Sequence, residues 1–354
     1  MTLRRIATVA DLHDYLYVAM QLEHATIPPY LTALYSIHPT TNADAYRVIR
    51  VVAVEEMLHL TLAANLLNAV GGTPDLTAEG FVPAYPAHLP DGEEDFEVGT
   101  RAFSRDTVEV FLQIERPAAT DDGRFVSRER SQRALLPGVD AHEDDLHFFS
   151  IGEFYAELGE GLHRLHDELG DALFCGDPAR QVGPEYYYSG GSEVVKVTDV
   201  ESAAAAMRVI SEQGEGLGGG IFDDEGELAH YYRFQQLLLG RYYQPGDRAD
   251  SPTGPTLDVD WDAVYPVLAD AALAHYTEPG ELRDAVMAFS AAYGDFLARL
   301  TEAFGGRPDL LLPAVGDMFR IKELACQIIR NPMPGQAGVN AAPVFRGLVR
   351  VEVS

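Results

Sequence analysis

The run RVIRVVAVEEMLHLTLAANLLNAV, residues 47 to 70, is apolar on nearly every side when wound as a helix. A helix of that kind has no face to give to water, so it belongs at the centre of a protein with other helices around it. Ile49, Val52, Glu56, His59, Ala63, Leu66 and Val70 follow steps of three and four and form one column. Within that column only Glu56 and His59 are ionisable. A carboxylate and an imidazole three residues apart project to the same side, where they can reach one ion together.

A second anomaly lies upstream. Thr8-x-x-Asp11 predicts an N-cap for a helix over about 9 to 37, with an apolar pattern through Leu12, Leu16, Ala19, Leu22, Leu31 and Leu34. Its middle, QLEHATIPPYL, carries Glu23 and then Pro28 and Pro29. Each proline lacks an N–H, so two readings compete: a kink that opens space beyond Glu23, or a break with a new helix starting at Pro28.

The rest of the chain reads as mostly helical. The central helix begins near Asn42 and stops at Gly71-Gly72-Thr73-Pro74. A long crossover follows, with an amphipathic helix in FSRDTVEVFLQIER, and then a third long helix over about 145 to 172. A second connection, 173 to 222, holds PEYYYSGGSEVVKV, which looks partly extended, and the Ala-rich helix ESAAAAMRVISEQ. GELAHYYRFQQLLLGRYY is expected to form the fourth bundle helix, and two further helices cover about 280 to 304 and 308 to 330.

Composition excludes several function classes. At 354 residues and 47% hydrophobic content there is ample material for a core. Cys175 and Cys326 are too few for a disulfide framework and fit a reducing interior. With no signal-like or membrane-spanning apolar run, a cytoplasmic location is expected. A formal charge of −29 opposes phosphate backbones and anionic lipid, so neither nucleic acid nor membrane is an expected partner.

E-x-x-H occurs three times: Glu56/His59, Glu160/His163 and Glu227/His230. One match is expected by chance, and Glu160/His163 on the third long helix is the candidate for it. What carries information is the order: Glu23, then Glu56-x-x-His59, then Glu153, then Glu227-x-x-His230. Four carboxylates converging inside a helical bundle would repel one another and lose their hydration, which two divalent cations would offset. Oxygen donors with two imidazoles favour iron or manganese over a sulfur-rich zinc or copper site. Glu157 and Glu160 share a face with Glu153 and compete for its role, and Glu55 reads as an outer partner or a surface residue. Tyr186, Tyr187, Tyr188, Tyr231 and Tyr232 read as core or as a pocket lining, and Arg233 and Arg241 as carboxylate holders or partners of Glu.

The order of carboxylates and imidazoles is that of ferritin-like di-iron or di-manganese bundles, with one Glu from each of two helices and E-x-x-H from each of the others. At EHATIPPYLTALYSI, VEEMLHLTLAANLLNAVGGTP, FSRDTVEVFLQIERP, SIGEFYAELGEGL and GELAHYYRFQQLLLGR the chain resembles ferritin-like proteins related to the iminophenyl-pyruvate dimer synthase domain of violacein and rebeccamycin biosynthesis. The resemblance implies an all-α ferritin-like bundle over 6–245, with 246–354 as a helical extension packed on it. It implies Glu23, Glu56, His59, Glu153, Glu227 and His230 as metal ligands, with two non-haem iron ions as cofactor and manganese as the alternative. The expected activity is oxidation of a small amino-acid-derived substrate, imine or aromatic, by O2 or peroxide in specialised metabolism. A ferroxidase or iron-handling protein, and a metal-free interaction protein with a fossil site, are the rival readings. The sequence leaves homo-oligomerisation open.

Overall fold

The central helix forms as expected, as α2 (Ala43–Ala69), packed along its length on α1 (Val9–Ser36) in the most extensive interhelical contact of the chain. The structure is a computed structural model that describes residues 5–90, 95–117, 148, 150–188, 194–216, 220–223 and 225–348. Thr8 caps α1 through a capping box with Asp11, a device worth about 1 kcal/mol. α2 ends where Gly71 takes a positive φ of 82° and its N–H bonds Asn68 O at 3.1 Å.

α1 runs unbroken through Pro28 and Pro29, so the reading in which a new helix starts at Pro28 is wrong. The reason lies outside the helix. Pro29 has no N–H to give to Ala25 O, and the Tyr85 hydroxyl donates to that carbonyl instead, at 2.8 Å. Thr32 Oγ1 also donates back to Pro28 O at 2.8 Å. A polar side chain from the crossover thus replaces a bond that the helix cannot make.

The remaining helices are α3 (Arg105–Ile114), α4 (Ile151–Leu169), α5 (Val200–Glu215), α6 (His230–Leu239), α7 (Glu281–Phe304) and α8 (Leu311–Ile329). Ser104, Ser150 and Asp199 cap α3, α4 and α5 through side-chain oxygens. α1, α2, α5 and α4 close a ring in which each packs on the next, while α6 packs on α3 and touches α2 and α5. The fold is the all-α bundle expected, with one correction. The Ala-rich α5, read from sequence as part of a connection, is the fourth member of the ring, and α6 is shorter than the segment expected to hold that place. Small Ala side chains suit that position: Ala203 and Ala206 are fully buried and let α5 approach its neighbours closely.

Tyr186 ends a single 3-10 turn, residues 189–193 of the stretch expected to be partly extended lie outside the described residues, and among the described residues of the chain only isolated bridges occur, with no β-ladder. The first residues of the expected third helix, before 148, lie outside the described residues. α7 and α8 form an antiparallel pair, α7 contacting α2 and α8 contacting α1. No described helix is long and apolar enough to cross a membrane.

Candidate metal centre

Ligand atoms converge in two overlapping groups, Glu23 with Glu56 and His59, and Glu56 with Glu115 and His230, each within 4.8 Å and every residue buried. Glu56 belongs to both. α1 supplies Glu23, α2 supplies Glu56 and His59, the C-cap of α3 supplies Glu115, and the first residue of α6 is His230. The two imidazole rings lie 5.5 Å apart, nearly stacked.

Hydrogen bonds fix how each side chain faces the centre. His59 Nε2 is 2.8 Å from Gln213 Oε1 on α5, and His230 Nε2 is 2.9 Å from Glu55 Oε2. With Nε2–H donating outward, both rings turn an Nδ1 lone pair inward. Tyr155 on α4 donates to Glu23 Oε1 at 2.5 Å, Thr26 to Glu56 Oε2 at 3.1 Å, and Tyr30 to Glu115. Every member therefore has an outer partner, the arrangement that orients ligands around a metal.

The electrostatics point the same way. Burial, and then the charge of Glu115, push the Glu56 carboxyl up to about 7. Burial alone would lower His230, but the Glu115 charge first, and then the close carboxylates of Glu115, Glu55 and Glu56, hold it well above the ordinary imidazole value. Burial opposes the charge on His59 too, yet the Glu23 bond and the charges of Glu56 and Glu23 raise it. Without a cation the cluster gathers protons, which is to say that it lacks positive charge. His230 Nδ1 lies 3.0 Å from Glu56 Oε1 and 3.4 Å from Glu115 Oε2, yet it makes no aligned hydrogen bond to either. A buried ring nitrogen aimed between carboxylates without a well-formed bond suits an ion placed among them. The residues present fit a metal pair.

Of the sequence-predicted ligands, the structure brings together Glu23, Glu56, His59 and His230. Glu227 and Glu153 are not among them. The E-x-x-H argument needs a helix through 227–230, but α6 begins at His230, and the residues before it run through a bridge between Phe222 and Leu228. Glu227 is consequently exposed, 68%, and pairs with Arg233 at 3.5 Å. On α4, Tyr155 and Gly152 face the centre, whereas Glu153 sits roughly 100° round the helix from Gly152, half-buried beside its Ser150 cap. Its competitors fare no better: Glu157 pairs with Arg164 at 2.9 Å, and Glu160 is 71% exposed.

Glu115 is the residue that sequence reasoning missed. It follows Val108 and Phe111 at the steps that define the buried stripe of α3, and it is 3% exposed. A carboxylate on an apolar stripe was the available signal. Glu55 proves an inward-facing partner of His230, held in turn by Arg233 at 3.4 Å. Arg241 donates to Gly254 O at 2.9 Å and serves a loop. Tyr232 is buried in a small cluster with Tyr243, while Tyr186, Tyr187 and Tyr188 line a cavity on the far side of α2.

Comparison with known proteins places the chain in a family. The chain is 25% identical over 342 residues to a dichlorochromopyrrolate synthase of Lentzea aerocolonigenes, a stretch covering 86% of this chain and 30% of that enzyme. It is 23% identical over 318 residues to a 2-imino-3-(indol-3-yl)propanoate dimerase of Chromobacterium violaceum, covering 84% of this chain and 27% of the relative. The chain thus spans less than a third of the length of these curated relatives. A ferritin-like protein from Caulobacter vibrioides shares the fold at a TM-score of 0.62, with 22% identity over 96% of this chain and 99% of its own. Residues 16–239 match the ferritin-like family profile, and the chain belongs to that family.

Proposed function

We propose that this chain is a non-haem dinuclear metal oxidoreductase, with iron as the resident metal and manganese as the alternative, that oxidises a small amino-acid-derived substrate. The observation that carries the reading is the pair of buried ligand groups sharing Glu56. Glu23 and His59 would hold one ion, Glu115 and His230 the other, and Glu56 both. Glu115 takes the place that Glu153 and Glu227 were expected to fill. The set offers oxygen and imidazole donors and no sulfur, which suits iron or manganese. When bound, the metals supply redox chemistry toward O2 or peroxide that no side chain here can supply.

The protein's own part is orientation and access. Tyr155, Thr26 and Tyr30 hold one oxygen each of Glu23, Glu56 and Glu115. Gln213 and Glu55 keep His59 and His230 with Nδ1 inward. Both of these outer partners also line an open polar cleft of about 700 Å3 between α2 and the segment that precedes α6. A substrate seated there would lie one side chain from each imidazole, and Arg233 beside Glu55 fixes that wall. The names of the relatives, a dichlorochromopyrrolate synthase and a dimerase of 2-imino-3-(indol-3-yl)propanoate, support a substrate of that class.

Anaerobic reconstitution with ferrous iron, followed by exposure to O2 or peroxide with amino acids and aromatic imines, tests the reading by mass spectrometry. A new organic product formed without loss of iron from the protein supports it. Oxidation of many equivalents of iron into a stored ferric core, with no organic product, would make the chain an iron-handling protein.

A further inference from the structure

A second cavity, of about 220 Å3, lies on the opposite side of α1 and α2 from the candidate metal centre, closed by α7 and α8. Sequence neighbours divide between the two: Glu23, Glu56 and His59 face the centre, while His24, Met57 and Leu60 face the cavity. Its walls are apolar and aromatic, with Ile27, Leu31, Phe296 and Phe304 inside and the exposed rings of Tyr188 and Phe319 at the mouth. An engineered cavity of about 150 Å3 holds benzene, so the space accommodates an aromatic ring.

Three polar features distinguish it from a packing void. First, no Asp or Glu lines it, in a chain with 55 of them. Second, Arg50 and Lys322 line it with exposed side chains, and neither makes an ion pair among the described residues. Lys322 instead donates to the Tyr46 hydroxyl at 3.0 Å, and Arg50 also borders the polar cleft. Third, His24, 1% exposed, has Nε2 fixed 2.7 Å from the Tyr293 hydroxyl while its Nδ1 is buried without a hydrogen-bond partner. A buried polar atom left unpaired costs about 1–3 kcal/mol, which a ligand could recover.

We propose that this cavity is a binding site for an aryl carboxylate, with the ring inside, the carboxylate at Lys322 and Arg50, and a polar ring substituent received by His24. The apolar walls supply affinity for the ring, and two cations that make no ion pair among the described residues select the anion over its neutral analogue. The site does not depend on the metal centre, and binding is expected with and without iron.

Isothermal titration calorimetry on the full chain tests this with 3-phenylpropanoate, 3-(4-hydroxyphenyl)propanoate and the uncharged 3-phenylpropanamide. The carboxylates are expected to bind, the amide more weakly, and the hydroxylated acid tightest. Lys322→Glu, at an exposed position, should weaken the carboxylates about tenfold and leave the amide unchanged. Val315→Trp, filling the cavity, should abolish binding of all three while iron content per chain stays the same. His24→Phe should erase the advantage of the hydroxylated acid. No heat with any probe, or binding that survives both Lys322→Glu and Val315→Trp, would overturn the proposal. So would a dimer that Phe319→Asp converts to monomer while the acids give no heat, because a second copy would then cover the mouth.

Discussion

Glu55 Oε2 lies 2.9 Å from His230 Nε2, and it is this contact that turns the other nitrogen of the ring toward Glu56 and Glu115. Glu55 and Glu56 are adjacent on α2, yet they grip opposite edges of one imidazole. The first sets its tautomer, and the second shares its inward face. The His230 bond and the nearby charges of His230 and Arg233 hold the Glu55 carboxyl below its usual range against the opposing effect of burial.

Replacing Glu55 should therefore weaken metal binding without removing a ligand. For Glu55→Ala we expect a 10- to 100-fold loss of ferrous-ion affinity, about the size seen when such outer partners are deleted. Competition titration against a chelator of known affinity measures it. Unchanged affinity would mean that His230 needs no partner.

Glu115 and Glu227 make the sharpest contrast among the carboxylates. Glu115→Ala should cut bound iron to about half or less, since it removes a donor from one of the two groups. Glu227→Ala, at an exposed position, should leave the iron content unchanged. Elemental analysis of the two variants after identical reconstitution decides between them, and the reverse order would restore Glu227 as the ligand.

In the metal-free protein the contribution of Glu56 to stability should fall as pH rises, against an opposite contribution from His24, whose burial holds its imidazole down to about 3. The Glu56 carboxyl is raised to about 7 in the folded chain, from 4.5, so the folded state holds a proton that the unfolded state has released. That contribution is complete below 4.5 and is lost as pH passes through about 7; the raised His59 and His230 values act in the same direction at higher pH. Metal competes with these protons, so its stabilising effect should increase with pH. Thermal melts from about pH 5 to about pH 8 should show the Tm of the apo-protein falling relative to that of Glu56→Gln as pH rises. An identical slope in both proteins would remove Glu56 as the cause.

Tyr85→Phe should destabilise the fold by about 1–2 kcal/mol, because Ala25 O then has neither the N–H that Pro29 lacks nor the hydroxyl that replaces it. Chemical denaturation measures the loss. A neutral substitution would mean that water satisfies the carbonyl equally well.

Much of this molecule can be read from its pattern of apolar and polar residues. The Thr8 cap, the span of α2 and the placing of Glu56 and His59 on one face of it follow from local periodicity, because each is specified by residues within a few turns, whereas His230 reaches the same cluster only through tertiary packing. Glu227 misled because spacing places two side chains together only if a helix connects them, and α6 starts three residues too late. Glu115 escaped notice because its helix is short and remote in sequence from the others, so its partnership with Tyr30 and His230 is a product of tertiary packing. The role of Tyr85 in sustaining α1 is likewise long-range, 60 residues from the carbonyl that it serves.

The central claim is that Glu56 joins two metal positions in one buried centre. It is tested most directly by counting iron after anaerobic reconstitution of the wild-type chain and of Glu56→Ala. The account predicts about two ferrous ions per wild-type chain, and loss of most of both in the variant, since Glu56 belongs to each ligand group. Zinc alone, no metal, or full retention of iron by Glu56→Ala would contradict it.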